Sequence, residues 1–174
     1  YTGDYKFDQT PINSPQTDFE KLGEWGREGV LALLGDSTNA ERSGHTKSER
    51  VIAKTIEDTF KLIDQRIIVA TFSSNINRIQ HVIKAAKNTN RKVAIAGRSM
   101  QNTIKIAARL GYLHIEKETL ITLDQAKKLD PGKVILIMTG SQGEYRAALT
   151  RMARGEHRNI KILAGDTVFI SATP

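Results

Sequence analysis

The chain has 174 residues, 39% of them hydrophobic and 26% charged, which is enough for one domain with a real core and short for two. No apolar stretch nears the roughly 20 residues that cross a bilayer, no signal-peptide pattern opens the chain, and the absence of cysteine excludes disulfides and Cys-ligated zinc. A net charge of +7 and a pI near 9.7 favour a polyanionic partner such as nucleic acid, the alternative being solvated basic side chains on helix backs.

Residues 1–8 alternate polar and apolar positions and read as a strand. A turn-rich stretch with two prolines follows over 9–15, then a short helix over 18–26. Residues 30–34 (Val-Leu-Ala-Leu-Leu) form a continuous apolar run, the pattern of a strand buried on both faces. Thr46 and Glu49 stand at capping-box spacing, ahead of a helix with Val51, Ile52, Ile56, Phe60 and Ile63 on one stripe. Strand and helix then alternate: a strand over 67–70, a helix through Ile76, Ile79, Val82 and Ile83, and a strand over 93–96. A helix through Ile104, Ile106, Ala107 and Leu110 comes next, ended by Gly111. A strand over 134–138 precedes a second capping box, Ser141 to Glu144, which predicts a helix closed by Gly155. Short strands over 160–162 and 168–170 finish the pattern. A chain that opens on strand-like residues without an initiator Met, and stops at Pro174 straight after a strand, is expected to be a piece of a longer protein.

Such alternation implies right-handed crossovers and an α/β fold: a three-layer αβα arrangement with a mainly parallel sheet. Ligands of these sheets bind beyond the carboxyl ends of the strands. That directs attention to four loops, 35–39, 71–75, 97–100 and 139–144, all rich in small polar residues. Several familiar sites are missing: no Walker loop, no G-x-G-x-x-G, no H-E-x-x-H and no G-x-S-x-G. The four histidines lie far apart, and His81 on its helix reads as a partly exposed structural side chain. No triad and no complete metal site assembles from these residues.

What remains is suited to phosphate. Helix N-termini present free amides and the positive end of the helix dipole. Ser73, Ser74 and Asn75, Arg98 and Ser99, and Ser141 and Gln142 add hydroxyl, amide and guanidinium donors at three of them. Phe72 offers a face for a base, or else belongs to the core. Taken singly, the serines are equally well explained as helix caps. Asp36, directly after an apolar run, either orients a metal ligand or closes an Asx-turn.

With those loops in view, the chain resembles ribonuclease J, in the β-CASP branch of the metallo-β-lactamase-like nucleases. The matching stretches are Tyr1-Thr2-Gly3-Asp4-Tyr5-Lys6-Phe7-Asp8, GVLALLGDSTN over 29–39, IIVATFSSN over 67–75, Gly97-Arg98-Ser99-Met100, TGSQGE over 139–144 and RMARGEHR over 151–158. They run in order along the whole chain. The resemblance implies a cytoplasmic, metal-dependent enzyme that cleaves RNA both internally and from a 5′-monophosphorylated end, in decay and maturation. It implies two zinc ions, with manganese as an alternative, activating a water. Asp4 then corresponds to a metal-bridging aspartate, and Asp36 to an acidic residue partnering a metal-site histidine. Phe72 to Asn75 and Gly97 to Met100 would line the RNA path, with Ser141 and Gln142 beside them. Residues 1–15 would be the edge of the lactamase-like domain and a linker, and 16–174 the β-CASP domain.

The sequence departs from that pattern in two places. The H-x-H-x-D-H motif and the later β-CASP histidine segment are absent, and Asn77 stands where the family often has histidine. The expectation is a piece that binds RNA weakly and hydrolyses none, within a protein that forms homo- or hetero-oligomers. Two other readings are a non-catalytic paralogue supporting an active partner, and an unrelated nucleotide-binding α/β domain.

Overall fold

The structure, a computed structural model, describes residues 1–12, 14–145 and 147–171. Asn13 in the turn-rich stretch, Arg146 in the helix expected after residue 141, and the chain end at 172–174 lie outside the described residues. Two compact units divide the chain, Tyr1–Ile52 and Ala53–Pro174. This division is later than the domain boundary expected after Pro15.

In the first unit, Asp18 accepts a hydrogen bond from Lys21 N (2.8 Å) and so starts helix α1, Phe19–Glu28. Gly29, at φ +93°, ends it by donating its N–H to Trp25 O. Helix α2, Glu49–Lys61, begins at the end of this unit. Its start is capped from two sides: Asp8 Oδ2 accepts from Glu49 N (2.7 Å) and Ser48 Oγ from Arg50 N (3.2 Å). The cap therefore sits at Ser48 and Asp8, not at the expected Thr46. Rings of Tyr5, Phe7 and Phe19 pack in sequence, tilted to one another, at 5.0 and 5.1 Å.

Neither strand expected in this unit forms. Residues 1–8 are irregular, and so are 30–34, where Leu31 and Leu33 are 105% and 76% exposed. The physical reason is the lack of neighbours. A strand exists only through its ladder, and among the described residues the one backbone bond of that run is Thr2 N to Leu34 O at 3.0 Å. Apolar composition states that a segment seeks cover. It does not supply the cover.

The second unit has its neighbours in place. Strands β1 (Ile67–Ala70), β2 (Lys92–Ala96), β3 (Leu120–Ile121), β4 (Val134–Met138) and β5 (Thr167–Ile170) form one sheet in the order β3-β2-β4-β1-β5, every pair parallel. The register pairs Ile68 and Ala94 with Leu136, so one face carries Ile68, Ala94, Ala96, Val134, Leu136 and Met138. Ala126 of α5 (Leu123–Ala126) and Ala148 and Met152 of α6 (Ala148–Ala153) cover that face, and Ile160 fills its margin. The opposite face carries Ile67, Val69, Ile135 and Ile137, all 0% exposed. Phe60 of α2 meets Phe169 of β5 edge-on there, at 6.1 Å. The right-handed crossover rule puts α3 (Ile76–Asn88) and α4 (Arg98–Arg109) on the same side. Each such fully buried aliphatic side chain contributes about 1.5–3 kcal/mol by leaving water. His81, on α3, is 3% exposed and belongs to the core, not partly to solvent as expected.

Two local expectations also change. Residues 160–162 form no strand, because side chains fix them instead. Arg66 donates to Lys161 O, and Asp166 accepts both from Arg66 (Nε to Oδ1, 2.9 Å) and from Leu163 N. The capping box at Ser141 opens no helix, since α6 begins only at Ala148. Gly140 explains why: at φ +118° it lets the returning helix press against it, where a Cβ would stand 2.9 Å from Leu149 Cβ. A true capping box sits elsewhere, between Thr122 and Gln125, which exchange bonds of 3.1 and 2.8 Å.

The amino ends of the strands are tied tightly. Arg91 is 7% exposed, and its guanidinium donates to Ile63 O and, at 2.7 Å, to Gln65 O. Burial pushes its pKa down, against the partly offsetting charge of Asp64. The short 3-10 turn Pro131–Lys133 packs Gly132 so closely that a Cβ there would lie 2.4 Å from Asp64 O.

Candidate nucleic-acid interface

Chain direction decides where a groove opens in this sheet. From β1 and β2 the chain moves one way along the sheet, through α3 and α4. From β4 it moves the other way, through α6, to β5. Strand β4 lies between β1 and β2, so its carboxyl end is a switch point flanked by loops that leave toward the opposite face. Three of the four expected loops, 71–75, 97–100 and 139–144, meet here. The fourth, 35–39, follows no strand, because the run before it is irregular.

A direct contact joins the first two loops, and close packing brings the third beside them. Ser73 Oγ and Ser99 Oγ are 3.4 Å apart, and Thr71 N donates to Met138 O at 3.0 Å. Leu149 N donates to Thr139 O, and a Cβ on Gly97 would reach Thr139 Oγ1 at 3.9 Å. Asn75 caps α3 by accepting from Arg78 N (3.0 Å), so its amide oxygen is committed to structure. Helix α4 differs: Gly97 is its N-cap and supplies no side-chain acceptor, which leaves its first amides for an outside anion. Arg98 and Ser99 are both exposed in that first turn, and Ser74 is exposed in the first loop.

The remaining expected residues divide by burial. Phe72 is 37% exposed and keeps a face toward solvent. Met100 is 0% exposed, so it seats the first turn of α4 from beneath and does not reach the groove. Ser141 is 7% exposed, and its Oγ is buried without a hydrogen-bond partner. An orphaned hydroxyl beside a polar groove costs about 1–3 kcal/mol until something satisfies it. Gln142 is exposed, its N–H donating to Glu144 Oε2.

Asp36 belongs to the first unit and lines a groove of about 800 Å³ there, with Asp8, Thr10, His45, Lys47 and Ser48. Its Oδ1 accepts from Thr38 N at 2.8 Å, which is the Asx-turn geometry. The Thr38 amide and hydroxyl hold its pKa below the usual value, as the Glu49 amide does for Asp8. Asp4 is exposed, and among the described residues no three His, Cys, Asp or Glu side chains gather as a metal would need.

Two features of the interface were not legible in the sequence. Arg78 reaches from α3 to the end of β5, donating to Ser171 Oγ and O. Tyr145 stands exposed just past the third loop, with Arg154 against its ring. Its position directly after TGSQGE was the available signal. Elsewhere, His157 Nδ1 accepts from the N–H groups of Asn159 and Ile160 (3.3 and 3.2 Å), so the imidazole works as a neutral cap. Burial first, then Arg151 and Lys127, lower its pKa.

A family model described as "Ribonuclease J, beta-CASP domain" matches residues 64–174. Among curated proteins, the chain is 47% identical over 173 residues to "Ribonuclease J2" of Bacillus subtilis, covering 99% of this chain and 31% of that protein. It is 44% identical over 172 residues to "Ribonuclease J" of Helicobacter pylori, covering 99% and 25%. It is 45% identical over 174 residues to "Ribonuclease J" of Thermus thermophilus, covering 100% and 30%. The chain thus spans about a quarter to a third of the length of these relatives.

Proposed function

We propose, on the premise that this chain belongs to the ribonuclease J family through its β-CASP domain, that it is the RNA-gripping module of a metal-dependent ribonuclease. The observation that carries the reading is the meeting of the Ser73 and Ser99 hydroxyls at the carboxyl end of β4, beside the uncapped first turn of α4 and exposed Arg98. Two hydroxyls, a set of free amides and a guanidinium suit the oxygens of a phosphodiester. Phe72 beside them suits a base, and the orphaned Ser141 hydroxyl suits a further phosphate or sugar oxygen.

The fit to metal is poor within this chain alone. Asp4 has no companion ligands among the described residues, so no catalytic step follows from these side chains. In our reading, zinc or manganese is held largely by other parts of a longer protein, with Asp4 contributing one carboxylate and Asp36 orienting a ligand. That protein would cleave RNA internally and from a 5′-monophosphate end, as a cytoplasmic homo- or hetero-oligomer. Residues 1–15 would belong to its lactamase-like domain and 16–174 to the β-CASP domain. The stretch 16–52 decides that assignment, since the compact unit begins at Ala53 and the family match at 64. Among the described residues no helix is long and apolar enough to cross a membrane.

The test is a binding titration of the chain with 5′-monophosphorylated single-stranded RNA at increasing salt, with free nucleotides as competitors. Affinity that falls steeply with salt and resists mononucleotides supports the reading. Tight mononucleotide binding with no grip on RNA overturns it, in favour of a nucleotide-binding domain.

A further inference from the structure

The basic stretch 151–158 has no role in the site as described, yet it touches that site at one point. It runs from α6 into the following turn, which Arg151 Nη2 closes by donating to Glu156 O at 3.3 Å. Arg154, at the end of α6, sets its guanidinium 4.4 Å from the ring centroid of Tyr145. Tyr145 directly follows the 139–144 loop and is 66% exposed. The pair therefore links the basic turn to the loop that leaves β4.

Aromatic residues are scarce, and their placement is informative. The second unit holds five: Phe60, Phe72, Tyr112, Tyr145 and Phe169. Phe60 and Phe169 pack against each other. The other three are exposed, and two of them, Phe72 and Tyr145, sit in loops at the carboxyl ends of the paired strands β1 and β4. Exposing a large apolar ring brings no folding gain, whereas a flat ring beside a polyanion groove is a stacking surface for a base. A guanidinium over one face steadies such a ring and leaves its positive charge within reach of the adjoining phosphate.

We propose that Tyr145 and Arg154 form a base-stacking step for single-stranded RNA, which carries the nucleotide path from the β4 switch point over the α6 side of the sheet. The proposal rests on the RNA-binding reading above. Tyr145 provides the ring. Arg154 fixes its orientation and neutralises the phosphate beside the stacked base. The exposed Arg158 extends the positive lane along the same turn.

The experiment is an anisotropy titration of the full chain with a short labelled RNA, intact or with a single abasic nucleotide placed at successive positions. Tyr145→Ala weakens the intact RNA about tenfold, and Tyr145→Phe restores what the alanine lost. At one position the abasic RNA reproduces the loss, and Tyr145→Ala adds nothing further there. Arg154→Ala weakens every oligonucleotide, abasic or not. If Tyr145→Ala unfolds early, Tyr145→Leu, which keeps the bulk and lacks the π face, decides in its place. Equal binding by parent and Tyr145→Ala overturns the stacking step while the RNA-binding reading stands, and so does a loss that is the same on intact RNA and on RNA abasic at every position tried. Failure of the parent chain to bind any RNA overturns both.

Discussion

The side-chain hydroxyls of Ser73 and Ser99 lie 3.4 Å apart although 26 residues separate them, because the strands that precede them both flank β4. A phosphate bound at this point would meet donors from two loops at once. Ser99→Asp puts a carboxylate there, and RNA affinity at low salt is expected to fall at least about tenfold with the melting temperature unchanged. Arg98→Ala is expected to weaken all RNA sequences alike and to reduce the slope of log K against log salt by about 0.7–1, the signature of one phosphate contact. Titrations at several salt concentrations check both. Unaltered slopes would remove Arg98 from the interface.

The chain by itself is expected to hydrolyse no RNA when zinc or manganese is added, because the described residues gather no ligand set. Gel analysis of labelled RNA after repeated repurification of the protein measures this. Cleavage that tracks the protein through every step would contradict the expectation.

Arg66 and Asp166 form a bidentate pair with side chains 13% and 2% exposed. Removing one partner strands a buried charge, so Asp166→Ala is expected to cost about 3 kcal/mol in urea unfolding. Leu163 N loses its acceptor at the same time. Replacing both partners by apolar residues recovers part of the loss.

His157 sets a pH dependence whose sign follows from the burial of its imidazole. The folded state lowers the imidazole pKa below its ordinary 6.5, so the unfolded chain takes up the proton first as pH falls. The full contribution is present above about pH 6.5 and is lost as pH drops below that value. Nearby charge acts in the same direction, through Arg151 and Lys127. Thermal melts at pH 7.5 and 5.5 are expected to show a larger drop for the parent than for His157→Asn, and equal drops would refute the role of this proton.

Strands β1, β2, β4 and β5 were legible because their patterns are local, while β3 at Leu120–Ile121 was not expected and the run at 160–162 formed none. The apolar runs at 67–70 and 134–138 became β1 and β4 with those bounds, and each loop at the groove followed from the alternation. The run at 30–34 has an equally good pattern and formed nothing. A doubly buried strand is defined by what lies beside it, and no window of sequence contains that. Capping boxes failed for a related reason. The spacings at Thr46 and Ser141 form no capping box, whereas the one at Thr122 forms it at the start of α5. After Ser141 the Glu144 carboxylate accepts from Gln142 N, and the helix begins only at Ala148. Within the site, the polar loops were readable from composition, while Met100 was assigned to the groove because sequence cannot separate the buried from the open side of a first turn.

Arg91, Gly132 and the Arg66–Asp166 pair all lie where strands enter the sheet, and none lies where they leave it. The sheet of the second unit is therefore locked most heavily at its entry pole, its exit pole being held at Gly140 and by Arg78 on Ser171. Amide exchange should be slowest next to the locked pole and quicken toward the exits of β1, β2 and β4, so that adjustment to a ligand draws on the end where it costs least.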